Sequence, residues 1–194
     1  MWTDLGLCLL AYLLGSISFG LLIARLHGEA NLRQRGSGNI GATNVARILG
    51  KTAGVLTLLG DGLKGLVAVF MAQAWGQAGL VPALAALGAV LGHMFPVYHG
   101  FRGGKGVATA LGVLIPTLPL PLLGGLVAWV VVVTVWRYIS VASMVAALTI
   151  PMLAMLGAYP LPLVLAASSI ALLVLYKHRD NLQRLLQGRE SKFF

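Results

Sequence analysis

Charged residues are scarce in this chain, and that scarcity argues against a water-soluble domain. Only 10% of the 194 residues are Asp, Glu, Lys or Arg, whereas a soluble globular domain contains about 25%. Hydrophobic residues account for 58%, and the mean hydropathy is +0.89. Such a chain would aggregate in water. Its composition therefore predicts an integral membrane protein, folded as one domain over residues 1–194.

Acidic residues and cysteine are rarer still. The five carboxylates form no clustered ligand set, so we expect neither a metal site nor any other cofactor. They are Asp4, Glu29, Asp61, Asp180 and Glu190. The single cysteine, Cys8, excludes an intrachain disulfide. The sequence also lacks the G-x-S-x-G pattern of a serine hydrolase.

Long uncharged stretches predict membrane-spanning helices, each of which needs about 20 residues. Four are visible, at residues 5–24, 65–101, 106–136 and 138–176. The first has Asp4 before it and Arg25 after it, the reverse of a signal peptide, and predicts a retained helix. A further helix begins near Thr52 and runs into the second stretch. The second and fourth stretches each accommodate a pair of helices, and the third has "PTLPLP" near its middle.

The basic residues favour seven crossings over six. With seven, 13 of the 14 Lys and Arg residues lie on one side, and only Lys64 is set within a helix. Six crossings would place Arg137 and the basic C-terminus on the opposite side from the earlier basic loops, against the positive-inside tendency. We therefore predict an all-α polytopic membrane protein with about seven helices, an external N-terminus and a cytoplasmic C-terminus. The net charge of +9 then reflects topology, and no nucleic-acid partner is predicted.

The first polar segment is "RGSGNIGATNVARILGK", residues 35–51. A hydroxyl at Ser37 and a planar cation at Arg47, in one glycine-rich loop, suit an oxyanion. The neighbouring small residues are equally well explained as turn and capping residues or as substrate-binding residues. These are Gly38, Asn39, Thr43 and Asn44.

The second polar segment is "HGFRGGKGVAT", residues 99–109. It is not a nucleotide-binding P-loop, because Gly100 and Gly104 are separated by three residues and Gly106 replaces the required hydroxyl. Exposed amides at a helix start, next to a lysine, still favour a bound phosphate. The alternative is a flexible turn with a snorkelling lysine and arginine. The candidate phosphate-binding residues are Gly103, Gly104, Lys105 and Gly106.

The third polar segment is "YKHRDNLQRLLQGRESK", residues 176–192. His178 and Asn181 are three residues apart and share a helical face. Their neighbours Leu182 and Leu186 are spaced for a helix lying on the membrane surface. A catalytic histidine and a hydrogen-bonded structural histidine are both compatible with this pattern. Elsewhere, in "GDGLKG", we expect Asp61 and Lys64 to form a structural pair, because isolated charges in a membrane helix are costly.

With this topology the three segments lie on the cytoplasmic side, as an anion site of either an enzyme or a transporter. Together they resemble a known bacterial family, the integral-membrane acyl-phosphate:glycerol-3-phosphate acyltransferases of the PlsY type. The matching pieces are "GSGNIGATNVAR", "DGLKG", "HMFPVYHGFRGGKGVAT" and "HRDNLQRLLQGRESK". They occur in the family's order and account for nearly the whole chain.

The resemblance implies transfer of a fatty acyl group from acyl phosphate to the sn-1 hydroxyl of glycerol 3-phosphate. The expected products are lysophosphatidic acid and inorganic phosphate, in phospholipid biosynthesis. It also implies a multi-pass protein of the bacterial inner membrane whose active site faces the cytoplasm. The expected partners are the two substrates and membrane lipids, with no obligate protein partner. The alternative, a phosphate or organophosphate transporter, usually binds near the bilayer midplane on related halves, and no repeat is evident here.

The resemblance also implies roles for individual residues. Ser37 and Arg47 match an essential serine and arginine of the family, and the glycines around Lys105 match its phosphate site. His178 and Asn181 match a further functional pair, and Glu190 matches a glutamate with a structural role. On this basis we expect His178 to orient or deprotonate the attacking hydroxyl while Asn181 positions glycerol phosphate. A substrate phosphate oxygen remains the alternative proton acceptor.

Overall fold

The computed structural model describes residues 2–193, which are helical apart from turns and loops, with no strand among them. This confirms the predicted all-α class. Ten α-helices are seen in the described residues, named here in chain order. They are α1 (Trp2–Ser16), α2 (Phe19–Leu26), α3 (Ala42–Leu49), α4 (Lys51–Trp75), α5 (Leu80–Met94), α6 (Val107–Thr117), α7 (Pro119–Trp136), α8 (Ile139–Leu156), α9 (Leu161–Lys177) and α10 (Arg179–Leu186).

Five helical segments of the described chain are long and apolar enough to cross a bilayer, and a bent pair makes a sixth. The five are Trp2–Leu26, Lys51–Trp75, Leu80–His99, Pro119–Trp136 and Ile139–Leu156. The bent pair is α9 with α10, which meet at an angle of 49°. The 11-residue α6 rises only about 16 Å, roughly half of a hydrocarbon core. The count of seven crossings and their orientation therefore stay predictions.

The "PTLPLP" stretch contains the break between α6 and α7. Leu118 has φ −139° and ψ 58°, outside the helical region. It precedes Pro119, and the proline ring disfavours the helical conformation in the residue before it. The chain also divides here into two compact units, an N-terminal unit ending at Pro116 and a C-terminal unit starting at Thr117. Folding as one domain stays a prediction, and the two units are described separately below.

Glycines bring the helices of the N-terminal unit into close contact. A side chain on Gly92 of α5 would overlap the Tyr12 carbonyl of α1, and one on Gly15 of α1 would overlap the Ala89 carbonyl of α5. Membrane helices gain little from hydrophobic exclusion between themselves, so close backbone contact supplies their packing energy. The α1–α5 pair is therefore closely packed, and the glycine-rich segment continues from the end of α5.

A break between α1 and α2 brings a backbone carbonyl to the interior of the N-terminal unit. Ser18 caps α2, since its hydroxyl accepts a hydrogen bond from the Leu21 amide at 3.4 Å. The Ile17 carbonyl, displaced from the helical ladder, accepts a hydrogen bond from the Lys64 ammonium. A buried carbonyl without a helical partner is costly unless another donor reaches it. Lys64 of α4 thus stabilises the bend in the first spanning segment.

The C-terminal unit is built on the α7–α8 hairpin. Gly125 of α7 leaves room for Ile150 of α8, and the Trp129 indole donates to the Ser143 hydroxyl at 3.3 Å. The chain after α10 returns to this hairpin, where the Phe193 amide donates to the Arg137 carbonyl at 2.7 Å. The residues that follow α10 are therefore held against the α7–α8 turn.

Candidate active site

Asn44 organises the first polar segment from within. Its side chain, on a residue only 1% exposed, donates to the carbonyls of Asn39 at 2.8 Å and Arg35 at 3.1 Å. Its carbonyl oxygen accepts a hydrogen bond of 2.9 Å from the Ser37 amide. Three backbone groups of the loop thus depend on one amide side chain. Of the two uses considered for Asn44, these contacts support the structural one.

Asn39 has a related, more local use. Its side-chain oxygen accepts a hydrogen bond of 2.8 Å from the Gly41 amide, which is the Asx-turn arrangement. Gly36 and Gly38 have φ of +59° and +72°, a region that side chains rarely adopt. Gly38 therefore serves the turn through its conformation.

The remaining candidates of this segment lie at its surface. Ser37, Thr43 and Arg47 are all exposed. Among the residues that the structure describes, neither the Ser37 hydroxyl nor the Arg47 guanidinium has a hydrogen-bonding or ionic partner. Arg47 lies in the last turn of α3, the helix that follows this loop. An exposed hydroxyl on a rigid loop and an uncompensated cation on the helix after it are suited to an anionic ligand.

The glycine-rich segment folds back onto the end of α5. Gly100 is left-handed, with φ +60° and ψ 37°, and Phe101 also has φ +60°. After this reversal the Gly103 amide donates to the Met94 carbonyl and the Gly104 amide to the His93 carbonyl, both at 3.2 Å. The two amides are therefore occupied. The expectation that they are available to a phosphate is corrected by these bonds.

The glycines of this segment are required by close packing. A side chain on Gly103 would overlap the His93 carbonyl, and one on Gly104 would overlap the His93 imidazole. Gly106 has φ +78°, and a side chain there would reach the Met94 methyl group at 2.5 Å. Lys105, half-buried between them, lies directly before the first turn of α6. The N–H groups of that turn lack intrahelical partners, as at any helix start, and favour an anion.

A hydrogen bond connects the turn just before the first polar segment, Leu32–Gln34, to the second polar segment within the N-terminal unit. The Arg33 guanidinium donates to the Arg102 carbonyl at 2.6 Å. Partial burial, followed by repulsion from the Arg102 guanidinium, lowers the pKa of Arg33. The first segment is further held by Glu29, which forms an ion pair with Arg35. The Asn31 amide and then Arg35 keep the pKa of Glu29 below its usual value.

A buried polar cluster lies next to the glycine-rich segment. The Lys64 ammonium is 2.8 Å from an Asp61 carboxylate oxygen, and both side chains are at most 3% exposed. This confirms the predicted pair. The cluster also contains His93, whose Nδ1 lies 3.0 Å from the Lys64 Nζ. The sequence did not single out His93 as part of this pair, because it lies 29 residues away.

A cavity of about 180 Å³ lies beside the α1–α2 break in the same unit. Its wall is mainly apolar, with Arg25 and His99 among the polar residues that line it. The other lining residues are Ile17, Ser18, Leu21, Leu22 and Tyr98. An apolar wall with a few polar groups is the usual form of a site for an amphiphilic ligand.

His178 and Asn181 belong to the C-terminal unit and are both buried, at 3% and 5% exposure. His178 lies at the bend between α9 and α10, and its Nδ1 lies 2.8 Å from the Val174 carbonyl oxygen. A carbonyl only accepts, so Nδ1 carries the proton and the neutral ring has its lone pair on Nε2. The second ring nitrogen is therefore the one able to accept a proton.

Glu190 is the centre of a hydrogen-bond network around Asn181. One carboxylate oxygen accepts from the Asn181 amide at 2.6 Å and from the Ser140 hydroxyl at 2.8 Å. The other accepts from the Arg184 guanidinium at 2.8 Å. Burial alone would raise the pKa of Glu190, but the three donors outweigh it and hold the pKa below its usual value. These contacts support the structural role expected of Glu190.

The sequence-predicted residues thus fall into two groups. The first and second segments, with Ser37, Arg47 and Lys105, belong to the N-terminal unit, and the third segment belongs to the C-terminal unit. The supporting roles of Arg33 and Ser140 were not predicted from the sequence, whereas a hydrogen-bonded structural role is what the sequence suggested for His93. No group of three or more His, Cys, Asp or Glu residues in the described chain is arranged to hold a metal ion.

Comparison with known proteins identifies close relatives along almost the full length. Residues 5–188 match the protein family described as "Glycerol-3-phosphate acyltransferase". Proteins of that name from Trichlorobacter lovleyi and Aquifex aeolicus are similar to this chain. The first is 48% identical over 183 residues, covering 94% of each chain. The second is 45% identical over 190 residues, covering 97% of this chain and 98% of the relative.

Two solved structures share the fold. One is PlsY (YgiH), an integral membrane glycerol 3-phosphate acyltransferase in its glycerol 3-phosphate form. Its TM-score is 0.93 at 45% identity, covering 98% of this chain and 96% of that chain. The other is the lysophosphatidic acid form, with a TM-score of 0.90 at 44% identity, covering 98% and 95%.

Proposed function

This chain is a member of the glycerol-3-phosphate acyltransferase family, and from that premise we propose that it acylates the sn-1 hydroxyl of glycerol 3-phosphate with acyl phosphate as donor. The hydroxyl oxygen attacks the acyl carbonyl carbon, and the bond from that carbon to the phosphate oxygen breaks. The hydroxyl proton passes to a base, and the products are lysophosphatidic acid and inorganic phosphate.

The observation that carries the proposal is the bond between two cation-bearing loops. Arg33, in the short turn Leu32–Gln34 just before the loop of Ser37, donates to the Arg102 carbonyl in the segment of Lys105. Both substrates are phosphorylated, so two linked anion sites serve this reaction. Acyl phosphate has a good leaving group, and the larger requirements are orientation and stabilisation of the developing oxyanion.

Lys105 and the start of α6 are proposed to hold the donor phosphate. The ammonium group and the first-turn amides of α6 supply positive potential at one place. Gly103 and Gly104 donate their own amides to α5. Their role is to let the segment pack closely against α5, because neither has a side chain. Gly106 contributes its left-handed backbone.

Ser37 and Arg47 are proposed to bind a second phosphate or the reacting carbonyl. Their loop is preorganised, because Asn44 fixes the Ser37 amide and two carbonyls. Thr43, exposed one turn before Arg47 on α3, adds a hydroxyl donor. A rigid loop with its polar groups exposed loses little entropy on binding.

His178 is proposed to take the proton of the attacking hydroxyl on its Nε2, since Nδ1 is committed to the Val174 carbonyl. Asn181, held by Glu190, is proposed to position glycerol phosphate. A substrate phosphate oxygen is the alternative base. The two versions differ in whether loss of His178 lowers turnover or only affinity.

We place the protein in the bacterial inner membrane, with its three polar segments facing the cytoplasm. The basic residues of the loops support this orientation. The apolar cavity near Arg25 suits a fatty chain whose charged end stays near that arginine. The lipid product would leave directly into the bilayer.

The test uses purified protein in detergent with glycerol 3-phosphate and palmitoyl phosphate, and with palmitoyl-CoA as a parallel donor. Released phosphate and lysophosphatidic acid are both measured. Equal amounts of both products from palmitoyl phosphate, and none from palmitoyl-CoA, support the proposal. Transfer from palmitoyl-CoA alone overturns the donor assignment. The transporter alternative, which the family membership does not favour, requires glycerol phosphate uptake into sealed vesicles without any acyl transfer.

A further inference from the structure

His93 contacts the glycine-rich segment with both its backbone and its side chain. Its carbonyl accepts a hydrogen bond of 3.2 Å from the Gly104 amide. Its ring occupies the space where a side chain on Gly104 would lie, with Nε2 as the nearest atom. A single residue at the end of α5 therefore determines how closely the segment before α6 approaches.

The His93 ring is itself fixed from the opposite side. Its Nδ1 lies 3.0 Å from the Lys64 Nζ and 3.6 Å from an Asp61 carboxylate oxygen. Lys64 is held in turn by the Asp61 carboxylate at 2.8 Å and by the Ile17 carbonyl. The ring therefore has one defined orientation, set by α4 and by the α1–α2 break.

Gly103 and Gly104 differ in what they contact, although they are adjacent. The space beside Gly103 is filled by the His93 carbonyl, with the Pro96 ring next to it, while the space beside Gly104 is filled by the His93 side chain. Neither Gly103 nor Gly104 has a positive φ, so backbone conformation does not require glycine at either position. A substitution at Gly104 is thus obstructed by a group that mutation can remove, and a substitution at Gly103 is not.

We propose that His93 is a positioning residue of the acyltransferase, whose Lys64-anchored ring sets the position of the Gly104–Lys105 backbone. Gly104 lacks a side chain to make room for this ring. The inference rests on the proposed role of Lys105 in phosphate binding. In this view Asp61 and Lys64 of α4 hold the His93 ring, and the ring in turn fixes the position of the glycine-rich segment.

The experiment is a double-mutant cycle. Gly104→Ala is combined with His93→Asn, because the shorter Asn side chain can place an acceptor near the former Nδ1 position and withdraws the Nε2 edge. We expect Gly104→Ala alone to lower kcat/KM by about 100-fold, since a displacement of about 1 Å can cost that much. The double variant is expected to recover at least roughly 10-fold of the loss, as coupled residues in contact do.

Gly103→Ala, alone and with His93→Asn, is the matched control. No recovery is expected there, because the obstructing atom is the backbone carbonyl of residue 93. Two constants report on positioning: the KM for palmitoyl phosphate and the inhibition constant of inorganic phosphate. Both should rise in Gly104→Ala. Both should return toward the wild-type values in the double variant, as kcat/KM recovers.

Wild-type transfer is measured first, so that failure of the proposed function is separate from failure of this inference. With an active wild type, recovery confined to the Gly104 pair supports the inference. Absence of recovery overturns it, whether the double variant is folded and inactive or does not fold. Relief of the overlap should restore both folding and activity. Equal recovery in the Gly103 pair also overturns it. His93→Ala in place of His93→Asn repeats the cycle without the acceptor.

Discussion

The Asn181 amide donates a hydrogen bond of 2.6 Å to the Glu190 carboxylate, which fixes a buried polar side chain in the first turn of α10. The same carboxylate oxygen receives the Ser140 hydroxyl. Asn181 is therefore oriented by contacts that do not involve a substrate. An amide held in one rotamer before binding loses less entropy when it positions a ligand.

Replacing Glu190 by Gln should destabilise the C-terminal unit. The size of this loss of stability should depend on pH. Only 10% of the carboxylate side chain is exposed, and loss of charged hydrogen bonds costs about 1.5–3 kcal/mol. The folded-state pKa of Glu190 is lowered from 4.5. The stability it contributes is therefore present above that pH and is lost as pH falls through the lowered pKa.

Thermal unfolding in detergent, followed from about pH 6 to pH 3, measures this difference. The gap between wild type and Glu190→Gln should be largest near pH 6 and should close in acid. Asp180→Asn is the control, because Asp180 is 65% exposed and only 3.7 Å from Arg179, a weak surface pair. A gap that is unchanged with pH would contradict the assigned role of the carboxylate charge.

Replacing His178 by Gln tests the proton acceptor. If Nε2 takes the hydroxyl proton, turnover should fall by about 100-fold or more with little change in the affinity for glycerol phosphate. His27→Gln is a matched control, because His27 also places Nδ1 near the carbonyl four residues earlier, at 2.9 Å from Ile23. A raised KM with nearly normal turnover would make His178 a binding residue and favour the substrate phosphate as base.

Replacing Lys105 by Met should abolish acyl transfer while the protein stays folded. Methionine keeps most of the apolar length of the side chain but removes the positive charge next to α6. The measurement is phosphate release from palmitoyl phosphate, together with the elution profile of the variant in detergent. Lys51→Met is the control, since Lys51 is an exposed lysine at the start of α4. Nearly normal transfer by the Lys105 variant would remove it from the phosphate site.

Local patterns predicted the features that depend on neighbouring residues. The Asp61–Lys64 pair follows from a three-residue spacing on one helix. It required only the 3.6-residue period. The membrane class followed from composition alone, because a 58% hydrophobic chain has few other environments.

Contacts across long sequence separations were not predictable in this way. The amides of Gly103 and Gly104 were expected to face a ligand, but the reversal at Gly100 and Phe101 returns them to the carbonyls of α5. Two adjacent residues with positive φ made that reversal possible, and "HG" followed by an aromatic residue gives little sign of it. Ser140 reaches Glu190 over 50 residues, which no local period encodes.

Replacing Arg33 by Gln tests the bond between the two loops of the N-terminal unit. Loss of the Arg33 contact with the Arg102 carbonyl should let the loops move independently. We expect the KM for palmitoyl phosphate to rise by about 10-fold, which corresponds to about 1.4 kcal/mol of binding free energy. Turnover at saturation should change less, because the residues proposed to contact the reacting atoms are retained.

Arg102→Gln is the control for this variant, because the bond uses the backbone carbonyl of residue 102 and not its guanidinium. Loss of one positive charge is common to both variants, so a purely electrostatic effect would raise the KM equally in the two. A larger rise in Arg33→Gln identifies the bond itself as the cause. Equal rises would show that the loops act only through their charge, and that the bond does not coordinate two phosphate sites.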